Sequence, residues 1–316
     1  GHLMYSHLFD HLFLSKLDNK EKFGKLIDHE YRSIFYLKYL IAKNNIPLDD
    51  DDINVISSLI EPKQENYVDW KKEYKVGKWI FEIISNNYNG IDVDKFDYMA
   101  RDTASSGISS GFDFNRLLIF ARVINDHICY PIKIRGNIFQ MYELRFNLHR
   151  YIYNHKTVKA AEILLVDILF EAEKKYNISE WIVNPEKILK LTDEWIYYTN
   201  NELINSLVDK IENRKLPKLV AETTFKGKNI NSIPKISNLP SAYSLVDFRA
   251  GYLSGKSNPL NNIFWYKRNR NSEIKLSKIK DFSLLLNDEY YECVLRIYQI
   301  GKSNNQIVLP EGFDFI

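Results

Sequence analysis

The sequence predicts a mainly α fold: a helical core followed by a smaller mixed α/β lobe. Three observations carry that expectation. Runs such as Ser33 to Lys43 place apolar residues on a wide helical face. The stretch Ala160 to Phe170 is apolar nearly all round, which suits a buried helix. After about residue 215 the texture changes, with Pro217, Pro234, Pro240 and Pro259 interrupting short β-rich runs. Apolar residues make up 45% of the 316 and charged residues 27%, a globular composition that excludes a disordered or collagenous chain.

Taken in order, the helices follow from local signals. A start signal near Asp28 leads into Ser33 to Lys43. The acid run Asp49 to Asp52 suits the positive end of a helix over Ile53 to Ile60, and Pro62 closes it. Further helices are expected at Trp79 to Ser85, Asp92 to Ser105 and Phe114 to Val123. A long one should run from about Phe139 to Tyr176, with short ones at Thr192 to Tyr198 and Asn200 to Asn213. Strands fit Ile263 to Tyr266 and Tyr291 to Ile300.

These elements suggest a helical unit over residues 1–200 and a mixed α/β lobe over 201–316. The formal net charge is +2, which does not announce a nucleic-acid binder. The excess is uneven: residues 201–316 carry 17 Lys and Arg against 12 Asp and Glu, a weak pointer to phosphate-bearing partners. No apolar run approaches the ~18 residues of a membrane span, and the first residues lack the basic-then-apolar order of a signal peptide. Cys129 and Cys293 match no disulfide or zinc framework. An intracellular protein, cytoplasmic or nuclear and not secreted, is expected.

Three clusters could carry chemistry. On a helix, Asp94, Tyr98 and Asp102 stand four residues apart and form one row, flanked by Lys95 and Arg101. Two carboxylates, a phenol and nearby cations suit a metal with a polyanion better than a core. A second row, Arg145, His149 and Tyr153, has the same spacing and is followed by His155 and Lys156. Arginine grips phosphate through its planar fork, while His and Tyr can donate to phosphate or sugar oxygens. The third cluster opens the chain: His2, His7 and Asp10, with His29 and Glu30 further on. Spacing puts Asp10 three residues from His7, where it could orient the imidazole and raise its pKa for general-acid work.

Together these stretches resemble the HD-domain deoxynucleoside triphosphate triphosphohydrolases, in the branch of the vertebrate SAM- and HD-domain protein. The helical signature of that family stands at Asn89 to Asp102 with its spacing intact. The glycine- and histidine-containing motif stands as Gly1-His-Leu-Met-Tyr-Ser-His-Leu-Phe-Asp10, with Leu3 and Met4 replacing a glycine and a proline. Arg145 to Lys156 resembles a third motif, with one more spacing residue before Leu148. Phe112 to Arg116 and Phe120 to Val123 also match. The likeness covers nearly the whole chain and weakens after residue 215.

The resemblance implies metal-dependent hydrolysis of dNTPs to a deoxynucleoside and inorganic triphosphate. Asp94 would be a ligand of a divalent metal, whether Mg, Mn, Fe or Zn. Lys95, Tyr98, Asp102, Arg145, His149 and Tyr153 would contact substrate. His2 and His29 would lie along the phosphates, and His7, supported by Asp10, would protonate the leaving oxygen. An allosteric nucleotide site for GTP or a dNTP would involve Arg116, Lys133, Asn137, His155, Lys156, Arg214 and Lys218. Pro131 and Tyr151 replace family arginines there. A homo-oligomer, dimer or tetramer, would go with such regulation. The His-Asp pair of the family would precede Gly1, so the 316-residue chain itself is expected to be inactive. The alternatives are a non-catalytic nucleotide-binding or oligomerisation protein that kept the fold, and a phosphohydrolase acting on another nucleotide or single-stranded nucleic acid.

Overall fold

The computed structural model describes residues 1–62, 77–108, 111–226, 239–253, 258–268, 274–277, 290–302 and 314–315. Among them the α-helices are α1 (His29–Asn44), α2 (Asp50–Ile60), α3 (Phe81–Ile84), α4 (Val93–Ser106), α5 (Phe114–Phe120), α6 (Arg135–Asn147), α7 (Lys156–Tyr176), α8 (Pro185–Ile188) and α9 (Glu202–Glu212). The strands are β1 (Arg122–Ile124), β2 (His127–Pro131), β3 (Lys218–Lys226), β4 (Tyr243–Gly251), β5 (Phe264–Arg268), β6 (Ile274–Ser277), β7 (Tyr291–Gln299) and β8 (Asp314–Phe315). The fold is mainly helical with small sheets, as the sequence predicts. Pro234 lies outside the described residues. No described helix is long and apolar enough to cross a membrane.

The chain forms two compact units, Gly1–Glu61 with Lys156–Lys218 and Pro62–His155 with Leu219–Ile316. This division does not follow the contiguous split at residue 200, and the reason lies in the expected long helix. From Phe139 to Tyr176 the chain is not one helix. It runs as α6, widens into a π-helical turn at Leu148–Tyr153, breaks at Asn154 and His155, and restarts as α7. Another expected helix, Phe114 to Val123, ends at Phe120. Beyond it, Arg122–Ile124 pairs with β2 as a hairpin. Asn125 and Asp126 make its two-residue turn, with φ of 50° and 67°, the left-handed conformation that such tight hairpins require.

In the first unit, Phe9, Phe13 and Leu14 pack with Ile168, Leu169 and Ala172 of α7 and with Ile178, Ile182 and Ile204. The apolar stretch of α7 is buried at Ala160, Leu164, Ile168 and Leu169. The acid run is a helix cap: Asp49 accepts from the Asp52 amide at 2.8 Å, and Asp52 accepts from that of Asp49 at 3.3 Å.

The second unit holds two four-stranded sheets, ordered β1-β2-β5-β6 and β4-β7-β3-β8. Strands β2 and β5 are parallel, with Pro131 opposite Tyr266. Helices α4 and α6 share one core, in which Phe96, Met99, Ile138 and Met141 meet Tyr142, Leu148 and Trp265. Asp92 caps α4, accepting from the Lys95 amide at 3.0 Å.

One residue of the first unit is fully buried and charged. Arg32 of α1 has no exposed surface. Its Nε donates to the Gly1 carbonyl at 3.0 Å, and Nη1 donates to Leu26 and Ile27 at 2.7 and 2.6 Å. Nη2 meets the buried carboxylate of Asp10. Burial pushes the Asp10 pKa up, but the His29 and Arg32 contacts outweigh it and hold the group below the usual carboxylate range. A group depressed in this way stabilises the fold above its unfolded pKa and loses that contribution as pH falls. Arg32→Met leaves Asp10 buried and unpaired, so at neutral pH it should cost about 3–5 kcal/mol in denaturant unfolding. The gap to the parent should narrow as pH falls below about 4. An unchanged midpoint, or a gap that widens in acid, would count against this account.

Candidate active site

The opening histidines lie in the first unit. The loop between His2 and His7 carries Tyr5 and Ser6 at φ of 56° and 52°. Left-handed backbone at such residues persists only where the surroundings fix it. Here the Tyr5 amide donates to the Asp193 carboxylate and its hydroxyl to the Asp193 carbonyl, both at 2.7 Å. The loop thus folds His2 back onto the rest of the cluster. The His2 and His29 rings stack at 4.1 Å, and His7 meets them edge-on at 4.8 and 5.2 Å. One ring nitrogen from each of His2, His7 and His29 lies within 4.8 Å of the others. It is the only group of three or more potential metal ligands among the described residues.

Asp10 sits in a π-helical turn, Phe9–Phe13, and is 2% exposed. The expected pairing with His7 is not found. The turn aims the carboxylate at Arg32 and at His29, whose Nδ1 lies 3.3 Å from Oδ2. That oxygen has no hydrogen-bond partner and no solvent. Nor is the His7 pKa raised. Partial burial lowers it first, then the His29 and His11 rings, against smaller opposite pulls from Asp10 and Glu30. Burial and the imidazoles of His29 and His7 likewise push His2 down to about 4. Both therefore carry neutral, donor-competent rings near pH 7. Sequence reasoning missed Arg32, which looks like one more polar position on an amphipathic helix. Glu30 faces the other ring nitrogen of His29 at 3.3 Å.

The two spaced rows lie in the second unit, and there they meet. Tyr153 donates its hydroxyl to Asp102 at 2.5 Å. The Tyr98 and Tyr153 rings pack edge-on at 6.4 Å, and His149 packs edge-on against Tyr153 at 5.1 Å. Burial pushes the Tyr98 hydroxyl up to about 12, against the opposing pull of the facing Arg145 guanidinium. Burial also raises Tyr153, and the Asp102 carboxylate adds to the shift. Arg145 itself is 7% exposed. It donates through Nη1 to the Gly251 carbonyl, while its buried Nε has no hydrogen-bond partner. Asp94 is exposed at the start of α4. Lys95 is paired at the start of α4. Its ammonium lies 2.8 Å from the buried Asp92 carboxylate, which also accepts from the Asn86 amide. Burial raises the Asp92 pKa, opposed by Lys95.

Of the expected allosteric residues, Arg116, Lys133 and Asn137 line one cavity of about 330 Å3 in the second unit, with Asp113 and Gln140. The Asn137 amide, turned to suit its neighbours, pairs with the backbone of Asp113 at 2.8 and 3.1 Å. His155 is exposed in the same unit, and Lys156, Arg214 and Lys218 are exposed in the first.

Comparison with known proteins bears on what these groups are for. No family model matches the chain. It is 30% identical over 350 residues to the human deoxynucleoside triphosphate triphosphohydrolase SAMHD1, covering 94% of this chain and 55% of that protein. It is 29% identical over 315 residues to the SAMHD1 homolog of Dictyostelium discoideum, covering 94% and 59%. A putative HD domain-containing protein of Acanthamoeba polyphaga mimivirus is 31% identical over 333 residues, covering 94% and 69%. The chain thus spans between 55% and 69% of the length of these relatives. With that identity along almost its entire length, and the motif residues grouped as described, the chain belongs to the SAMHD1-like branch of the HD-domain triphosphohydrolase family.

Proposed function

We propose that a protein carrying this chain hydrolyses deoxynucleoside triphosphates to a deoxynucleoside and inorganic triphosphate, with a divalent metal. The observation that carries this reading is the meeting of the two polar rows at Tyr98, Asp102, Arg145, His149 and Tyr153. Two aromatic edges, a tied carboxylate and a buried guanidinium make a wall suited to a sugar and its phosphates. Tyr98 would close against the sugar edge and leave no room for a 2′-hydroxyl. The unpartnered Nε of Arg145 would be satisfied by a phosphate oxygen, which repays a buried donor that otherwise costs free energy.

The imidazoles give the reading its acid and its anion contacts. His2 and His29 would face the phosphates, and His7 would deliver a proton to the leaving 5′-oxygen once the negative charge of the bound phosphates favours its imidazolium form. Asp10 supports this group through His29, not through His7. Two donor groups are on hand for a metal. Asp94, which the family resemblance assigns to it, is one exposed carboxylate and does not make a site by itself. The His2, His7 and His29 nitrogens could hold one ion, as an alternative to the phosphate and proton roles of the same rings, with the buried Asp10 carboxylate behind them. A bound metal would supply an activated water and absorb phosphoryl charge. Nucleotide binding at the Arg116 cavity and assembly into a dimer or tetramer complete the reading.

The decisive measurement is the product. Incubated with dGTP and a divalent metal, a full-length protein carrying this chain should release deoxyguanosine and inorganic triphosphate; pyrophosphate release would refute the proposed bond cleavage. Tyr153→Phe removes one hydrogen bond to a charged partner and should lower kcat/KM about tenfold or more. A variant that melts earlier but keeps its kcat/KM would assign that bond to stability alone. Tyr98→Ala should narrow the preference for dGTP over GTP by about tenfold, and an unmoved ratio would remove Tyr98 from sugar selection.

A further inference from the structure

Behind His149 and Tyr153 lies a charge network that the reading above does not use, all of it in the second unit. Arg150 stands in the same π-helical turn, Leu148–Tyr153, and Asn154 follows it. The Arg150 Nε donates to Glu292 at 2.5 Å and its Nη2 to Glu222 at 3.1 Å. Glu222 belongs to β3, while Glu292 and Arg296 belong to β7. Through its other oxygen Glu222 accepts from Arg296 Nε, and Arg296 Nη1 donates to the Asn154 carbonyl. One carboxylate thus bridges two arginines, one inside the turn and one gripping the backbone that leaves it.

Strand alternation puts the network on one side of its sheet. Residues two apart share a face, so Glu292, Val294 and Arg296 lie together on β7. Phe248 of β4 pairs with Val294 across the ladder and shares that face. Phe248, Ala250 and Val294 pack with Phe146 of α6, one turn before Arg150. The Phe248 ring also lies 4.9 Å from the Arg296 guanidinium and 5.9 Å from that of Arg150. Arg296 is 4% exposed. Burial pushes the Glu222 carboxyl up, but Arg296 and Arg150 outweigh it and hold the group below the usual carboxylate range. Apolar side chains would join helix to sheet at lower cost, because buried guanidiniums must be desolvated. The forked donors add geometry. A π turn has poor hydrogen bonding of its own, and carbonyls at a helix end lack partners within it. Arg296 supplies such a partner to Asn154, and Arg150 ties the turn to two strands at once.

We infer that Arg150, Glu222 and Arg296 form a clamp that sets the rotation of the π turn, and so places the His149 ring and the Tyr153 hydroxyl in the wall proposed to hold substrate. The three are positioning residues. Tyr153 meets Asp102 on α4, whereas the clamp takes its partners from β3 and β7. The effect of the clamp on catalysis rests on the proposed hydrolysis; its hold on the turn does not.

The test turns on Arg296→Lys, which keeps a charge beside Glu222 but cannot also reach the Asn154 carbonyl. In the 316-residue chain, hydrogen exchange followed by NMR reports on the turn without any turnover. The Asn154 and His155 amides donate to the His149 and Ile152 carbonyls, and in the variant they should exchange about tenfold faster. The Phe96 amide, bonded to the Asp92 carbonyl at the start of α4, should keep its rate. Unchanged exchange in the turn would overturn the clamp, as would an equal rise at Phe96, which would mark a general loss of stability. In a full-length protein carrying this chain, Arg296→Lys should lower kcat/KM for dGTP about tenfold. Tyr153→Phe should then cost less than about threefold in that background, because a hydroxyl already displaced has less to lose. Equal costs of Tyr153→Phe in the two backgrounds would sever Arg296 from Tyr153 and overturn the inference. Should Arg296→Lys fail to fold by circular dichroism, Arg150→Lys, which can hold only one of its two carboxylates, is read by the same criteria. A full-length parent that releases no triphosphate sinks the proposed hydrolysis, while local loosening of the turn still upholds the clamp.

Discussion

A polar group taken out of water among packed helices must find a partner, and that requirement fixes where the chemistry of this chain can sit. In the first unit Arg32 is buried with four acceptors around it, one of them Asp10. That arrangement pins the Gly1 carbonyl from below while Asp193 pins Tyr5 from the side, so the imidazoles cluster on a braced loop. In the second unit Asp92 does the same for α4. It accepts from Asn86, from the Lys95 amide and from the Lys95 ammonium, which sets the helix start and hence the angle at which Tyr98 and Asp102 face α6. Buried Glu82 ties His127 and the Ile128 amide of β2 in the same manner.

This constraint separates what was legible in the sequence from what was not. The row Asp94, Tyr98, Asp102 could be read because α4 is an ordinary capped helix, where four-residue spacing means one face. The acid run at Asp49 was legible for the same reason: a cap is a local event. The pairing of Lys95 with Asp92 was not read, because helix spacing alone does not say which carboxylate a cap-proximal lysine takes. The long helix was misread because apolar spacing continues across Asn154 and His155, and nothing in periodicity records where a chain leaves one packed unit for another. Arg32 could not be found by pattern at all. Its role exists only once Gly1, Leu26, Ile27 and Asp10 surround it.

The two candidate groups share a local device. Asp10 lies in one π-helical turn, and His149 and Tyr153 lie in the other. Wide turns of this kind cost hydrogen-bond geometry and concentrate at functional positions. In the first unit the turn explains the failed expectation directly. In an α-helix Asp10 would sit three positions along the same face as His7 and could reach it; the wider turn moves it round to His29 and Arg32.

In the second unit the same widening works in favour of the site. Along an α-helix a step of four residues overshoots a full turn by about 40°, so a row of three drifts about 80° round the axis. Arg145 belongs to α6, but His149 and Tyr153 fall within the π turn, where four residues make less than a full turn. The drift of the second step therefore opposes that of the first, and Tyr153 returns toward the face that Arg145 occupies. A regular helix would carry the Tyr153 hydroxyl away from α4. The widened one delivers it to Asp102 at 2.5 Å while Arg145 still faces Tyr98. The convergence of the two rows is thus a property of the irregular turn. A simple four-residue repeat anticipates which residues meet without revealing the geometry that lets them.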